Sequence, residues 1–363
     1  MKYIDLIAGA RPNFMKIAPI IHALQAQATS GGALRYRLVH TGQHYDPKLS
    51  KTFFEQLDIP EPDVNLEVGS GTQAEQTAAI MTGYEQLLRR QRCDLCLVVG
   101  DVTSTMACAI TAQKLTVPVA HVEAGIRCGD WTMPEEINRR ITDAITDWFF
   151  TTSDTASENL RRAGVNTERI FFVGNTMIDT LLANRHRLQA PPFWSERGLA
   201  AGEYFVVTLH RPVNVDARDK LARLLHTLGQ VTRGLPIIFP VHPRTAKTLH
   251  NVGDLPNNLH PVEPQPYLAF NYLVQHAKAV ITDSGGITEE ATVLSVPCMT
   301  LRDSTERPET VTIGTNQLLG TDPAALAPAL EQLFAGRWKR GAVPTKWDGK
   351  TSQRIVCILA ELL

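Results

Sequence analysis

With 363 residues, 44% hydrophobic and 20% charged, the chain has the length of two domains and the composition of a globular protein. Lys+Arg 36 stands against Asp+Glu 37, which excludes a disordered chain and leaves no sequence-wide positive field to gather nucleic acid. No apolar stretch approaches the roughly 20 residues that span a bilayer, and the N-terminus reads as a first strand rather than a secretory leader.

Short apolar runs recur in chain order at 3–8, 35–40, 95–99, 117–122, 148–151, 170–173, 204–209, 237–241, 279–282 and 296–301. Most are continuous rather than alternating, the pattern of strands buried on both faces of a parallel sheet. Helical patterns separate them. In the first, Phe14, Ile17, Ile20, Ile21 and Leu24 share one face. Strand and helix in alternation predict an α/β protein of doubly wound sheets.

Cys93 and Cys96 form a C-x-x-C, but it runs straight into the run at 95–99. A zinc site would need a second pair and a redox pair would open a helix, so neither is expected, and a reducing cytoplasm is the simplest compartment. The composition breaks at 185–202, rich in Pro and Gly, and again at 341–349. A hinge near Gly174-Asn175 divides the chain into 1–174 and 175–351, followed by a short helix at 352–363.

Ligands of open parallel sheets bind beyond the carboxyl ends of the strands. Here those ends carry Gly9-Ala10-Arg11-Pro12, Gly100-Asp101, Glu123-Ala124-Gly125, His210-Arg211, His242-Pro243-Arg244 and Asp283-Ser284-Gly285-Gly286. Each alone favours ordinary turn chemistry. Together they predict two chemical edges, one from each Rossmann-like half, facing across a cleft. Ser284, Gly285 and Gly286 open a helix and suit an anion such as a diphosphate; a capped helix explains them as well. Arg11 and Lys16 suit a phosphate or an anionic leaving group, or are charges near a helix start. Pro134, Glu135 and Glu136 are also ordinary helix-start residues. Neither G-x-G-x-x-G nor a P-loop motif is present.

Taken in order over nearly the whole chain, these segments resemble the non-hydrolysing UDP-N-acetylglucosamine 2-epimerase family. The set includes Gly9-Ala10-Arg11-Pro12 with Lys16, Thr41-Gly42-Gln43-His44, Gly100-Asp101 and Val122-Glu123-Ala124-Gly125-Ile126-Arg127. It continues through Pro134-Glu135-Glu136-Ile137-Asn138-Arg139, Gly174-Asn175-Thr176, His210-Arg211 and Pro240-Val241-His242-Pro243. It closes with Thr282-Asp283-Ser284-Gly285-Gly286, Glu289-Glu290 and Thr305-Glu306-Arg307-Pro308-Glu309.

The resemblance implies the two-domain GT-B fold, with the final helix crossing back onto the first domain. It implies interconversion of UDP-N-acetylglucosamine and UDP-N-acetylmannosamine without metal, nicotinamide or other cofactor, by elimination of UDP to a 2-acetamidoglucal and re-addition. The proton-transfer carboxylates are then Asp101, Glu123 and Glu135, with the base among them left open. His210, Lys16, Arg11, His242, Ser284, Gly285, Gly286, Arg302 and Arg307 match positions that grip the diphosphate and substrate, and Glu290 the ribose position. A homodimer is implied, with a UDP-sugar as partner and neither nucleic acid nor membrane. The alternatives are a modified substrate (a 2,3-diacetamido uronate), a hydrolysing epimerase, a GT-B glycosyltransferase or a UDP-sugar sensor. Two departures bear on detail: Pro212-Val213-Asn214 follows His210-Arg211 without the usual Glu, and the loop 129–134 is shorter than in some members. Tyr45-Asp46 beside Gln43 differ from the activated pattern, so strong activation by a second UDP-sugar is not expected.

Overall fold

The structure, a computed structural model, describes residues 1–42 and 54–363, with Arg11 described by its backbone. The chain forms two compact units, one of Met1–Asn184 with Thr345–Leu363, the other of Arg185–Pro344.

The first unit follows the alternation read from its apolar runs: β1 (Lys2–Ala8), α1 (Arg11–Thr29), β2 (Leu34–His40), β3 (Val64–Asn65), α2 (Gln73–Arg90), β4 (Leu95–Val99) and α3 (Thr103–Lys114). After these come β5 (Val119–Val122), α4 (Pro134–Ile145), β6 (Trp148–Thr151), α5 (Asp154–Arg162), β7 (Ile170–Phe172) and α6 (Thr176–Asn184). Among the described residues the sheet is seven-stranded, parallel, in the order β3-β2-β1-β4-β5-β6-β7. The predicted face of α1 is the buried one, with Phe14, Ile17, Ile20, Ile21 and Leu24 all inside. Helix starts carry side-chain caps that satisfy otherwise orphaned N–H groups: Thr72 with Glu75 at α2, Ser153 at α5 and Asn175 at α6.

The second unit repeats the plan with β8 (Phe205–Thr208), α7 (Arg218–Val231), β9 (Ile237–Pro240), α8 (Pro243–Leu249), β10 (Leu259–Val262), α9 (Tyr267–His276) and β11 (Ala279–Thr282). It continues with α10 (Gly285–Val293), β12 (Cys298–Thr300), α11 (Pro308–Thr312), β13 (Asn316–Leu318) and α12 (Leu326–Phe334). Its described strands run parallel in the order β10-β9-β8-β11-β12-β13 over a core that includes Phe205, Val207, Leu225, Phe239, Ile281 and Met299. Both sheets therefore reverse direction of growth at their first strand. The switch points lie between β1 and β4 and between β8 and β11, where such sheets leave a crevice at the strand ends.

The expected hinge at Gly174-Asn175 lies inside the first unit, and the reason is packing. A Cβ on Gly174 (φ +107°) would come 2.1 Å from the Lys346 carbonyl oxygen, so the returning chain already presses on this point. Beyond it, α6 packs on α1. Asp179 on α6 accepts hydrogen bonds from the Thr351 and Ser352 N–H groups, at 3.0 and 2.7 Å, at the start of α13 (Thr351–Leu362). Trp347 is buried against the same unit and donates from Nε1 to the Thr152 carbonyl at 3.0 Å. The chain thus crosses only after Asn184, and the returning segment starts at Thr345, ahead of the helix expected at 352.

Candidate functional site

The first switch point is stitched by Asn13 in the first turn of α1. Its Oδ1 accepts from the N–H groups of Gly9 and Ala10, both at 3.1 Å, and its Nδ2 donates to the Val99 carbonyl at 3.0 Å. That clamp joins the end of β1 to the end of β4. Arg11 is the first residue of α1. One turn further on, Lys16 reaches back over the strand ends and donates to Glu123 Oε2 at 2.7 Å, both residues being buried. Gly100 lies under this pair with φ +71°; a Cβ there would sit 3.0 Å from Lys16 Nζ and 3.8 Å from Glu123 Oε2. Glu123 itself adopts φ +71°, unusual for a side-chain-bearing residue, where the chain leaves β5.

Asp101 follows Gly100 and is partly exposed. Arg139 donates to its Oδ2 at 2.7 Å, and Asn138 Nδ2 donates to its carbonyl at 2.9 Å. Both partners stand on α4, a helix with an inverted pattern: it buries Glu136, Asn138, Arg139, Thr142 and Asp143 while Ile137 and Ile141 face out. The two adjacent glutamates of this helix separate. Glu136 is fully buried and accepts from Arg139 at 3.0 Å, Arg140 at 2.9 Å and the Cys128 N–H at 3.1 Å. Burial raises its carboxyl pKa, but the Cys128 amide and the two arginines outweigh that and hold it below the usual range. Glu135 is half-buried and makes no hydrogen bond among the described residues, one turn before the arginine that holds Asp101.

A second layer escaped the sequence reading. His121, on β5, is fully buried, with Nδ1 at 2.8 Å from Asp143 Oδ1 and Nε2 at 2.8 Å from the Gly100 carbonyl. Asp143 also takes the Gly125 N–H at 3.1 Å and Arg127 Nη1 at 2.6 Å. A histidine inside an apolar strand gives no signal in the chain, and its partner stands on another element.

In the second unit the corresponding clamp is Asp283, fully buried at the end of β11. It accepts from the N–H groups of His210 and Arg211, at 3.0 and 2.9 Å, and from Asn214 Nδ2 at 3.1 Å. His210 Nδ1 lies 2.9 Å from Asp283 Oδ1, which leaves Nε2 to point elsewhere on a ring that is partly exposed. Burial raises the Asp283 carboxyl, and His210 with the backbone donor of Arg211 brings it down below its ordinary range. His242 caps α8 through its Nδ1, and its ring centroid is 5.8 Å from that of His210.

Ser284 precedes α10, whose first turn has no side-chain cap. A Cβ on Gly285 would sit 2.5 Å from Glu306 Oε1, so Glu306 lies over that turn. Arg302 holds Glu306 at 2.8 Å and Arg211 approaches to 3.9 Å, while Arg307 binds Glu289 at 2.5 Å. Burial alone would raise the Glu306 carboxyl; Arg302 and Arg307 push it down to about 2. Further along α10, Glu290 is buried beside Asn271, at 3.3 Å, and Tyr267, and burial raises its carboxyl to about 7.

The structure thus brings Lys16, Glu123 and Asp101 to one strand-end group with Glu135 on the adjoining helix. It brings His210, His242, Ser284, Gly285 and Gly286, with Arg302, Arg307 and Glu290 around α10, to another. Gln43, Tyr45 and Asp46 lie outside the described residues. Cys93 and Cys96 are buried free thiols, the former pushed up to about 12 by burial, and no group of His, Cys, Asp or Glu among the described residues could hold a metal ion.

Comparison with known proteins gives one consistent result. A family model described as UDP-N-acetylglucosamine 2-epimerase matches residues 26–360. The UDP-N-acetylglucosamine 2-epimerase of Methanocaldococcus jannaschii is 40% identical, covering 98% of each chain. The UDP-2,3-diacetamido-2,3-dideoxy-D-glucuronate 2-epimerase of Pseudomonas aeruginosa is 38% identical over 88% of each. A crystal structure of the M. jannaschii UDP-GlcNAc 2-epimerase, in complex with UDP-GlcNAc and UDP, matches with a TM-score of 0.88, 38% identity and 99% coverage of both chains.

Proposed function

The chain belongs to the UDP-N-acetylglucosamine 2-epimerase family, with the GT-B fold class of its solved relatives, and from that premise we propose that it inverts C2 of UDP-N-acetylglucosamine to give UDP-N-acetylmannosamine. The observation that carries the reading is the division of chemistry between two strand-end groups: carboxylates paired with cations in one unit, and in the other a helix start not capped by Ser284, beside the Arg302–Glu306 pair, with a histidine oriented by Asp283 at the neighbouring strand end.

A hydrogen on C2 of the sugar is too weakly acidic to be removed alone. Loss of UDP from C1 as the proton leaves C2 turns the step into an elimination and gives a 2-acetamidoglucal. Reprotonation on the other face and return of UDP to C1 complete the inversion. We assign the proton transfers to Asp101, Glu123 and Glu135. Lys16 pairs with Glu123 by direct contact, and we assign to Lys16 and Arg11 the stabilisation of the departing anion.

In the second unit, we assign the diphosphate to Ser284, Gly285 and Gly286, where helix N–H groups and dipole favour negative charge. Arg302 and Arg307 supply the cationic surroundings, with the His242 and His210 rings beside each other as further polar groups. The Asp283 contact at Nδ1 fixes the His210 ring and leaves Nε2 to face the substrate. Glu290 takes the ribose hydroxyls. The same reading places the enzyme in a reducing cytoplasm as a homodimer serving cell-surface polysaccharide synthesis; the described cysteines, all free thiols, support the first of these.

The test is incorporation of deuterium. In heavy water, NMR should show deuterium at C2 and two intact UDP-sugars from UDP-N-acetylglucosamine. Amide replacements at Asp101, Glu123 and Glu135 should each slow this exchange by about 10²-fold or more. Full exchange in all three variants overturns the assignment of the acids. Free sugar with UDP would indicate a hydrolase, and binding without exchange a sensor. Exchange with only the 2,3-diacetamido uronate would move the substrate to that of the P. aeruginosa relative.

A further inference from the structure

The contacts of His121 demand one more proton than a neutral ring supplies. The carbonyl of Gly100 at Nε2 can only accept. At Nδ1 stands Asp143, whose other oxygen already takes the Gly125 N–H and the Arg127 guanidinium, both pure donors. A neutral imidazole offers one ring N–H for two acceptors, each 2.8 Å away. The second contact would then set lone pair against lone pair at hydrogen-bond distance in a fully buried place. The histidine–aspartate pair must therefore hold an extra proton. The ring is its seat, because Asp143 is stabilised as an anion by Arg127 and by a backbone donor. Burial raises the Asp143 carboxyl, yet His121 and Arg127 together hold it below its ordinary range.

We propose that His121 is a buried imidazolium and the positioning residue that sets the separation of two of the three assigned carboxylates, Asp101 and Glu123. The proposal rests on the epimerase reading for its kinetic consequence, not for the charge of the ring. Gly100, which Nε2 holds, is the residue before Asp101. Glu123 follows on the strand that carries the ring itself, and Asp143 fixes the turn beyond it through Gly125 and Arg127. One charged ring thus ties the end of β4, the end of β5 and helix α4. Asp143 from α4 and Arg127 from the turn after β5 are the charged groups facing it. The neighbouring charges on the loops it joins have partners of their own, Asp101 with Arg139, which also binds Glu136, and Glu123 with Lys16. With a neutral ring, the Gly100 contact is lost and Asp101 moves relative to Glu123. A misplacement of ~1 Å costs about 10² in rate.

Two readouts test this on the full-length protein. In NMR of wild type carrying heavy nitrogen in its histidines, with the ring assigned by correlation to its own backbone, His121 should show protons on both ring nitrogens at neutral pH. One bare ring nitrogen overturns the proposal, and this needs neither a variant nor activity. The His121→Gln variant should lose about 10² in kcat for C2 exchange, with KM and the affinity for UDP nearly unchanged. Unchanged kcat, or a loss that lies in KM and UDP affinity, contradicts the positioning role. If wild type shows no C2 exchange, the functional reading fails while the nitrogen spectrum still decides the ring's charge.

Discussion

At the scale of single residues, position decides chemistry more than type does. Glu135 and Glu136 are neighbours in one helix turn, yet Glu136 is locked among two arginines and an amide while Glu135 keeps its carboxylate unengaged. Glu136→Gln should therefore cost about 1–3 kcal/mol of stability, since it weakens the charge-assisted hydrogen bonds from Arg139, Arg140 and the Cys128 amide in a buried place. Glu135→Gln should leave the melting temperature almost unmoved and strike the rate of C2 exchange. Calorimetry and exchange on the same two variants check the contrast. Glu290 gives a pH signature. Its folded pKa of about 7 lies above the 4.5 of an ordinary glutamate, so its neutral form is the favoured one in the free protein. Its contribution to stability is full below the ordinary value and is lost as pH rises through about 7. Ribose hydroxyls donate to the ionised form, so UDP binding should release a proton and tighten as pH rises through that range. Titration calorimetry in buffers of differing ionisation enthalpy measures the proton. Binding that is indifferent to pH there would remove Glu290 from the ribose.

At the scale of elements, the apolar runs located the interior strands and failed at particular sheet edges. The strands β3, β10 and β13 went unread because each ends its sheet, is short and is only partly buried, so no continuous apolar run marks it. The strand-end residues were legible for the opposite reason: polar groups directly after a buried strand have nowhere else to go. His121 and Asp143 were not, because a histidine inside a strand and an aspartate inside a helix are silent until the two elements pack. Helix α4 would even mislead, since its isoleucines face solvent and its charged residues face in. The junction between β1, β4 and α1 is held by the amide of Asn13. Asn13→Ala strips one acceptor and one donor from buried backbone groups and should cost about 1–3 kcal/mol in urea unfolding. An unchanged midpoint would show that water or a neighbour replaces the clamp.

At the scale of the whole molecule, each unit builds a first-strand switch point by the same device: a buried polar side chain that gathers backbone donors at the strand ends, Asn13 in one and Asp283 in the other. The chain returns to its first unit through Trp347 and the Asp179 contact to α13. Trp347→Ala should cost about 3–5 kcal/mol, visible in calorimetry as a lowered transition for that unit with the transition of Arg185–Pro344 in place. The boundary near Gly174 was misread because a glycine at a strand end looks like a hinge in the sequence, whereas here it makes room for the Lys346 carbonyl.

The central claim is that the bond from C1 to the diphosphate breaks while C2 changes hands. A heavy-oxygen label placed in the bridge between C1 and the β-phosphorus follows this bond directly. Once UDP is free of the sugar, the oxygens of its terminal phosphate become equivalent by rotation. Recovered UDP-N-acetylglucosamine should then carry the label in non-bridging positions as well as in the bridge, at a rate that tracks deuterium entering C2. Deuterium at C2 with the label still wholly in the bridge would contradict the elimination.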